Sequence, residues 1–120
     1  MTLKYHKDLD VWKDSIELVV DIYNLTSDFP TEEKYSIVSQ LRRAAVSVPS
    51  NIAEGAARNS VKEFVQFLYI ALGSLSEIDT QLIISQKLDF INSDAPDIFK
   101  KIQSIRKQIF GLIRSLKTKQ

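Results

Sequence analysis

A stripe of hydrogen-bonding side chains follows one face of the second predicted helix. At 100° per residue, five of these side chains fall within about 40–60° of the sixth, Gln40: they are Arg43, Ser47, Asn51, Glu54 and Arg58. Such a stripe fits a buried polar network that fixes helix register or subunit pairing. It also fits a groove in which the two arginines bind phosphate, because the guanidinium fork matches phosphate oxygens. The sequence leaves both interpretations open.

A third chemistry, acid/base catalysis by paired carboxylates, would use Glu54 with Glu77 of the third predicted helix. No nucleophile or metal-ligand set accompanies such a pair. The chain has no cysteine and one histidine, His6, so thiolate sites are excluded and multi-histidine metal sites nearly so. The three glycines are scattered rather than clustered into a phosphate-binding loop. We therefore predict no catalytic residue, no metal, no cofactor and no enzymatic activity.

A second stripe, made of basic residues, lies near the end of the chain. Residues 98–120 hold seven basic residues and no acidic one, whereas residues 1–97 hold nine basic and fifteen acidic residues. Lys100, Lys107 and Arg114 are spaced by seven, which predicts one outward helix face opposite a seam of isoleucines. Four further basic residues flank them: Lys101, Arg106, Lys117 and Lys119.

The basic stripe predicts a polyanionic partner. It would bind the phosphates of RNA or DNA with little sequence dependence and a steep dependence on salt. The alternative is a solvated face that acidic residues elsewhere neutralise, since the net charge is only +1.

The elements that must position these residues are four amphipathic helices, because apolar residues recur in steps of three and four in four stretches. The predicted seams are Leu9, Trp12, Ile16, Val19 and Tyr23; Val38, Leu41, Ala45, Val48 and Ile52; Phe64, Leu68, Ala71, Leu75, Ile78 and Leu82; and Ile98, Ile102, Ile105, Ile109, Leu112 and Leu116. Short connections between long helices favour an up-down order. We predict an all-α, antiparallel four-helix bundle, formed by one domain over residues 1–120.

Helix starts and irregularities can also be predicted. The second helix should begin at Thr31, the third at Ser60 with Glu63 completing a capping box, and the fourth at Asp94 with Pro96 in its first turn. Pro49 should kink the second helix, because proline removes a backbone donor and its ring clashes with the preceding turn. Glycine at position 73 costs about 1 kcal/mol relative to alanine in mid-helix. We attribute the presence of a glycine there to the close approach of another backbone.

The apolar surface is wider than one bundle core needs. The first helix carries a second apolar stripe, and the third helix is apolar around much of its circumference. Exposed patches of this size mark interfaces, so we predict a homo-oligomer. The longest uninterrupted apolar run, residues 67–72, has six residues, against the roughly 20 that a membrane span requires. The first residues are charged, and we expect a cytoplasmic protein that does not enter a membrane.

The polar stripe lies within a run that is recognisable as a whole. The segment QLRRAAVSVPSNIAEG, residues 40–55, followed by Arg58, closely resembles the signature of the four-helix-bundle family of 23S rRNA intervening-sequence proteins. The matches continue through residues 9–12, Phe29-Pro30, Phe64 with Phe67-Leu68, and residues 71–74 with Glu77 and Thr80. The resemblance extends over residues 9–116, although His6-Lys7 stands where the family often has an aromatic residue.

The resemblance implies a small bacterial protein that assembles as a homopentamer and has no established enzymatic activity. A similar protein is an accessory factor in diversity-generating retroelements, where a basic pentamer engages nucleic acid and a reverse transcriptase. Two functions follow as expectations. The first is a scaffold that binds RNA or DNA through Lys100, Lys107 and Arg114, with Arg43 and Arg58 as second candidates. The second is an adaptor that binds a protein partner without nucleic acid. Six residues would then serve structure or assembly: Gln40, Ser47, Asn51, Glu54, Gly73 and Glu77.

Overall fold

Four α-helices follow one another in the computed structural model, which describes residues 6–91 and 95–118. They are α1 (Asp10–Thr26), α2 (Ile37–Ala56), α3 (Val61–Lys87) and α4 (Ala95–Thr118). Single turns of 3-10 helix, His6–Asp8 and Thr31–Glu33, precede α1 and α2. The residues described include no strand, so the prediction of an all-α protein is confirmed.

Side-chain contacts between α1 and α4 show that these helices are antiparallel. The Gln108 amide donates to Asp14 Oδ2 over 2.8 Å, and the Lys101 ammonium donates to Asp21 Oδ2 over 2.5 Å. Residue numbers therefore fall along α4 as they rise along α1.

Side-chain contacts also show that α3 is antiparallel to both α2 and α4. Between α2 and α3, Gln40 contacts Gln81 and Ser47 contacts Ser74. Between α3 and α4, Ser76 contacts Arg106 and Tyr69 contacts Lys117. The extensive helix contacts are α1 with α2, α2 with α3, α3 with α4, and α4 with α1. The bundle is therefore an up-down ring of four helices, as predicted, in which α1 lies diagonally across from α3 and α2 across from α4.

The core confirms the predicted seams of α2 and α3 in full, since every seam residue is buried. In α4 the seam is also buried except at Leu112, which is half-buried while Ile113 takes the core position. A core helix of this kind is apolar enough to pass for a membrane span. Among the described helices, α3 alone is long and apolar enough to span a membrane by length and composition. Its buried seam packs against α2 and α4.

The predicted seam of α1 is only partly right: Leu9, Trp12 and Val19 are half-buried and pack against the core, but they lie at its edge. Ile16 is 38% exposed and Tyr23 41% exposed, whereas Val11, Leu18 and Ile22 lie in the core. The helix carries two apolar stripes, and periodicity alone does not rank them. Contacts with both α2 and α4 turn the Leu18–Ile22 stripe inward, and the predicted stripe is left partly on the surface.

Two of the predicted helix starts are tested. The start at Thr31 is wrong, because α2 begins at Ile37 after Ser36, whose backbone (φ −121°, ψ −105°) interrupts the helix. The cap of α3 at Ser60 is confirmed, with the Glu63 backbone N–H donating to Ser60 Oγ over 3.2 Å. The Glu63 carboxylate lies 3.4 Å from the same hydroxyl, so the second half of the predicted capping box, a bond from the Ser60 backbone N–H, is replaced by a side-chain contact. Asp94 lies outside the described residues.

Pro49 lies inside one continuous helix. The backbone of α2 is helical from Ile37 to Ala56, and the Pro49 ring is buried. A kink at Pro49 is not confirmed and stays a prediction.

The close approach of two backbones occurs at Gly55 and not, within the protomer, at Gly73. A Cβ atom on Gly55 would lie 2.8 Å from Phe64 Cδ1 and 2.8 Å from Phe67 Cβ. A Cβ on Gly73 would meet nothing within 4 Å. The explanation offered for Gly73 is therefore wrong for the isolated chain, because this residue lies on the outward face of α3.

Gly55→Ala should push α2 away from α3 and destabilise the fold by about 1–3 kcal/mol, the usual cost of overpacking a core. Urea denaturation followed by circular dichroism measures the change. Gly111→Ala is the matched control, because a Cβ at Gly111 meets nothing within 4 Å. It should be neutral or stabilising by up to about 1 kcal/mol, since alanine favours helix. An unchanged stability in Gly55→Ala would contradict the close approach.

The ion pair between α1 and α4 raises the pKa of Lys101. The main cause is the hydrogen bond to Asp21; burial lowers the pKa in part, and the charges of Asp21, Glu17 and Asp14 raise it further. A lysine whose pKa is raised by folding contributes stability below its ordinary pKa, and this stability is lost as pH rises through the raised value.

Asp21→Asn should therefore lower the free energy of unfolding by up to about 1 kcal/mol near neutral pH, as expected for a partly exposed pair. The gap between wild type and variant should narrow as the pH rises above 10.5, the ordinary pKa of lysine, and should close as the pH passes the raised pKa of Lys101. Denaturation curves at several pH values measure this gap. Glu32→Gln, an exposed acid outside the four α-helices, should show no gap; a gap in Asp21→Asn that is constant with pH would contradict the ion pair.

Candidate nucleic-acid interface

The outward face of α4 carries three cationic side chains in line. Lys100, Lys107 and Arg114 are all exposed, on the side of the helix opposite the buried Ile102 and Ile109. Seven residues of α-helix rise about 10 Å, so the three charges span roughly 20 Å along the bundle. We call these three residues the α4 stripe.

The other described cations of α4 point toward neighbouring helices and are engaged there. Lys101 pairs with Asp21 of α1, Arg106 Nη1 lies 3.4 Å from Ser76 Oγ of α3, and Lys117 Nζ lies 5.7 Å from the centre of the Tyr69 ring. In contrast, no carboxylate oxygen of the described residues lies within 4.0 Å of a charged group of the α4 stripe. Lys119 lies outside the part of the chain that is described.

Two acidic side chains of α1 contact the flank of α4 that faces α1. Asp14 and Asp21 accept hydrogen bonds from Gln108 and Lys101 on the side of α4 that faces α1. Asp21, Asp28 and Asp97 also line a cleft with Lys101 near the beginning of α4. Asp14 and Asp21 therefore contact Gln108 and Lys101 and form no ion pair with the α4 stripe, which keeps its positive charge.

The polar stripe of the second predicted helix, which we call the α2 stripe, links α2 to α3 at its centre. Its residues are Gln40, Arg43, Ser47, Asn51, Glu54 and Arg58. Ser74 Oγ, which is buried, donates to Ser47 Oγ over 2.9 Å. Asn51 Nδ2 donates to the same hydroxyl over 2.9 Å and to the Ser47 carbonyl over 2.8 Å. Nearer the beginning of α2, Gln81 Nε2 donates to Gln40 Oε1 over 3.2 Å. The geometry of Gln40, Ser47 and Asn51 is therefore that of a polar link between α2 and α3.

The arginines of the α2 stripe lie apart from each other and from the α4 stripe. Arg43 is exposed on α2, diagonally across the bundle from α4. Arg58 follows the end of α2, where it lies 3.9 Å from Glu54 and 4.8 Å from the centre of the Phe67 ring. Arg58 lies fifteen residues after Arg43, and α2 is diagonally across the bundle from α4. The two arginines therefore do not line one phosphate groove with the α4 stripe.

The two carboxylates considered for acid/base chemistry are not brought together. The α2–α3 register places Glu54 near the level of Phe67, because Gly55 packs on Phe64 and Phe67. Glu77 is ten residues further along α3, about 15 Å along the axis. Among the residues described, no group of three or more His, Cys, Asp or Glu residues is placed to hold a metal ion.

Arg42 connects α2 to the end of α1, a role that its position in the sequence does not indicate. Its Nε donates to Thr26 Oγ1 over 2.9 Å, its Nη2 donates to the Tyr23 carbonyl over 3.3 Å, and its guanidinium lies 4.4 Å from the Tyr23 ring centre. A cation at the Tyr23 carbonyl and the Thr26 hydroxyl stabilises the last turn of α1. The signal available was an arginine in α2 and a threonine at the end of α1, which only the fold brings together.

Exposed apolar side chains remain on the outward faces of two helices. On α1, Ile16, Val20 and Tyr23 are exposed in steps of three and four. On α3, Ile70 and Ile84 are exposed about four turns apart, with the exposed Glu77 between them. Because α1 and α3 are diagonal in the ring of helices, their outward faces point in opposite directions.

Two comparisons with known proteins find a family and a similar structure. A family model described as 23S rRNA-intervening sequence protein matches residues 7–111. A crystal structure at 1.70 Å of a protein of unknown function, from the S23 ribosomal protein family of Bacteroides thetaiotaomicron VPI-5482, superposes with a TM-score of 0.79. The two sequences are 26% identical over 87% of this chain and 95% of that chain. A comparison with curated proteins gives no match. The chain belongs to the family of 23S rRNA-intervening sequence proteins.

Proposed function

We propose that this protein is a non-catalytic homo-oligomeric scaffold that binds RNA or DNA through the α4 stripe. The observation that carries the proposal is the division of the α4 cations. Lys101, Arg106 and Lys117 engage neighbouring helices, whereas Lys100, Lys107 and Arg114 face outward without a described carboxylate within 4.0 Å. A row of unpaired cations fits a phosphate backbone, which offers charges at regular intervals along its length.

The exposed apolar side chains on the outward faces of α1 and α3 support assembly from copies of this chain. A two-fold dimer would use the same patch on both protomers and would leave the other face in water. A head-to-tail contact, in which the α1 face of one copy packs on the α3 face of the next, covers both. Gly73 lies on the outward side of α3 between Ile70 and Ile84 and has open space at its Cβ, so a partner's backbone can come close there.

Head-to-tail assembly also multiplies the charge. With the α1 and α3 faces covered, the outward faces of α2 and α4 point to the two remaining sides of each protomer. A closed ring then presents the α4 stripe of every copy on the same side. The family resemblance supplies the number five, which would align fifteen cations in a protein whose protomer has a net charge of +1.

The second candidate function is an adaptor that binds a protein partner, such as a reverse transcriptase, without binding nucleic acid. Two large apolar side chains in the connections at one end of the bundle favour it: Tyr35 is 88% exposed and Leu88 54% exposed. An adaptor would form a defined oligomer with no salt-sensitive affinity for polynucleotide.

Replacing Lys100, Lys107 and Arg114 together by alanine should weaken binding to a labelled structured RNA and flatten its salt dependence. Each lost phosphate contact reduces the slope of log affinity against log salt by about 0.7–0.9, so the slope should fall by about 2 or more. Fluorescence anisotropy across a series of salt concentrations measures it.

The double variant Arg43→Ala, Arg58→Ala removes two exposed arginines outside the α4 stripe and is the matched control. It should leave the slope unchanged. Equal flattening in both variants would show that binding is spread over the surface. Absence of binding by the wild type at low salt would favour the adaptor.

Val20→Glu and Ile84→Glu should each convert the oligomer to monomers, because each places a charge in one half of the same contact. An equimolar mixture of the two variants should form dimers, since the intact α1 face of one protein can pack on the intact α3 face of the other. Light scattering coupled to size-exclusion chromatography gives the masses. Monomers in the mixture, or an oligomer that persists in either single variant, would contradict head-to-tail assembly.

A further inference from the structure

An aromatic ring lies exposed among the cations of α4. Phe110 is 43% exposed, on the flank of the helix between the α4 stripe and α3. Arg106 and Lys107 lie one turn before it, and Arg114 lies one turn after it. The segment from Ile98 to Thr118 contains no acidic residue, so the ring lies in a wholly positive stretch of helix surface.

A second exposed ring stands on the facing helix. Tyr69 is 48% exposed on α3, with the Lys117 ammonium over it. Neither ring is paired with another described aromatic side chain; the aromatic pairs of the described chain are His6 with Trp12 and Phe29 with Phe90. The contacts of Arg106 with Ser76 and of Lys117 with Tyr69 place both rings along the same flank.

Two acidic residues of α3 lie near this flank without pairing with its cations. By the contacts that join Ser76 to Arg106 and Tyr69 to Lys117, Glu77 and Asp79 lie within about one helical turn of the level of Arg106. Glu77 is exposed and Asp79 half-buried, and neither forms an ion pair with a described cation. The cations around Phe110 are therefore free of ion pairs with the described acids of α3.

We infer that Phe110 is a stacking platform for an unpaired base of a single-stranded nucleic acid whose phosphates bind the α4 stripe. The inference rests on the proposed function and names its substrate class. The centre of a protein–protein contact is depleted of lysine, whereas this ring is surrounded by lysine and arginine. A nucleotide matches the site because it presents a flat apolar face beside a negative charge, and stacking on an aromatic side chain tolerates any base.

The same contact distinguishes single strands from duplexes. In a duplex both faces of each base are covered by neighbouring base pairs, so only the phosphates reach the protein. In a single strand the α4 stripe follows the backbone while Phe110 takes one base. Tyr69 lies where a further base of the same strand could stack. The contact needs a phosphodiester chain with exposed bases, which both RNA and DNA provide.

The test uses Phe110→Leu, which keeps an apolar side chain of similar size but removes the aromatic face. The probes are labelled oligo-uridine, its deoxyribose counterpart, an abasic strand of equal length, and a hairpin duplex, all measured by anisotropy with the full chain. The wild type should bind the two base-bearing strands about tenfold more tightly than the abasic strand. Phe110→Leu should lose this advantage and bind the abasic strand and the duplex as the wild type does.

Two controls separate stacking from other effects. Phe110→Trp keeps a stacking surface and should retain the advantage. Tyr35→Leu removes an exposed ring at the end of the bundle and should change nothing. Unequal affinities for the ribose and deoxyribose strands would assign the partner to RNA or DNA, and either supports the stacking contact.

Three results would overturn the inference. Phe110→Leu could bind every probe like the wild type, could weaken every probe equally, or could change the mass of the oligomer, which would place Phe110 between subunits. In each case the α4 stripe would still bind phosphate, and the proposed function would stand. If the wild type binds none of the probes at low salt, the proposed function fails together with the inference.

Discussion

The close approach of α2 to α3 at Gly55 is the constraint on which the rest of the bundle depends. A side chain at this position would collide with both Phe64 and Phe67, so the two helices fit together in one register and at one distance. That register brings Ser74 to Ser47 and lets Asn51 donate to the same hydroxyl. These buried polar contacts would be lost if either helix slid by one turn. The outward face of α3 follows from the same register.

The fourth helix shows how one amphipathic helix serves both packing and recognition. Its isoleucines fill the core, and its cations on either flank reach α1 and α3. The α4 stripe lies on the side of the helix that has no neighbouring helix, and its charges face water. Because Asp14 and Asp21 contact the flank of α4 that faces α1, the near-neutral protomer still carries a locally positive face at the α4 stripe. Net charge alone conceals this, since the distribution around α4 decides what a phosphate chain would meet.

Much of the fold follows from local pattern, and the errors have a common physical origin. The seams of α2, α3 and most of α4 could be predicted because each has one dominant apolar stripe. The seam of α1 could not, because the choice between its two stripes depends on where α2 and α4 lie. Thr31 has the chemistry of a helix cap, but the backbone at Ser36 interrupts the helix and delays its start.

The candidate site shows the same limit. A spacing of seven placed Lys100, Lys107 and Arg114 on one face without any knowledge of the fold. Which α4 cations pair with neighbours could not be predicted, because Asp21 and Ser76 are distant in sequence. The close approach of two backbones predicted for Gly73 occurs at Gly55 instead. The presence of a glycine in mid-helix does not reveal which neighbour it faces.

The most direct test of the account is the absolute salt dependence of nucleic-acid binding by the native protein, measured at a protein concentration where its mass is known. One α4 stripe offers three cations, which account for a slope of about −3 at most in a plot of log affinity against log salt. Stripes aligned by an oligomer on one side predict a clearly steeper slope, of about −5 or beyond. A slope of −3 or shallower would contradict the alignment of stripes, and no measurable affinity at low salt would contradict phosphate binding itself.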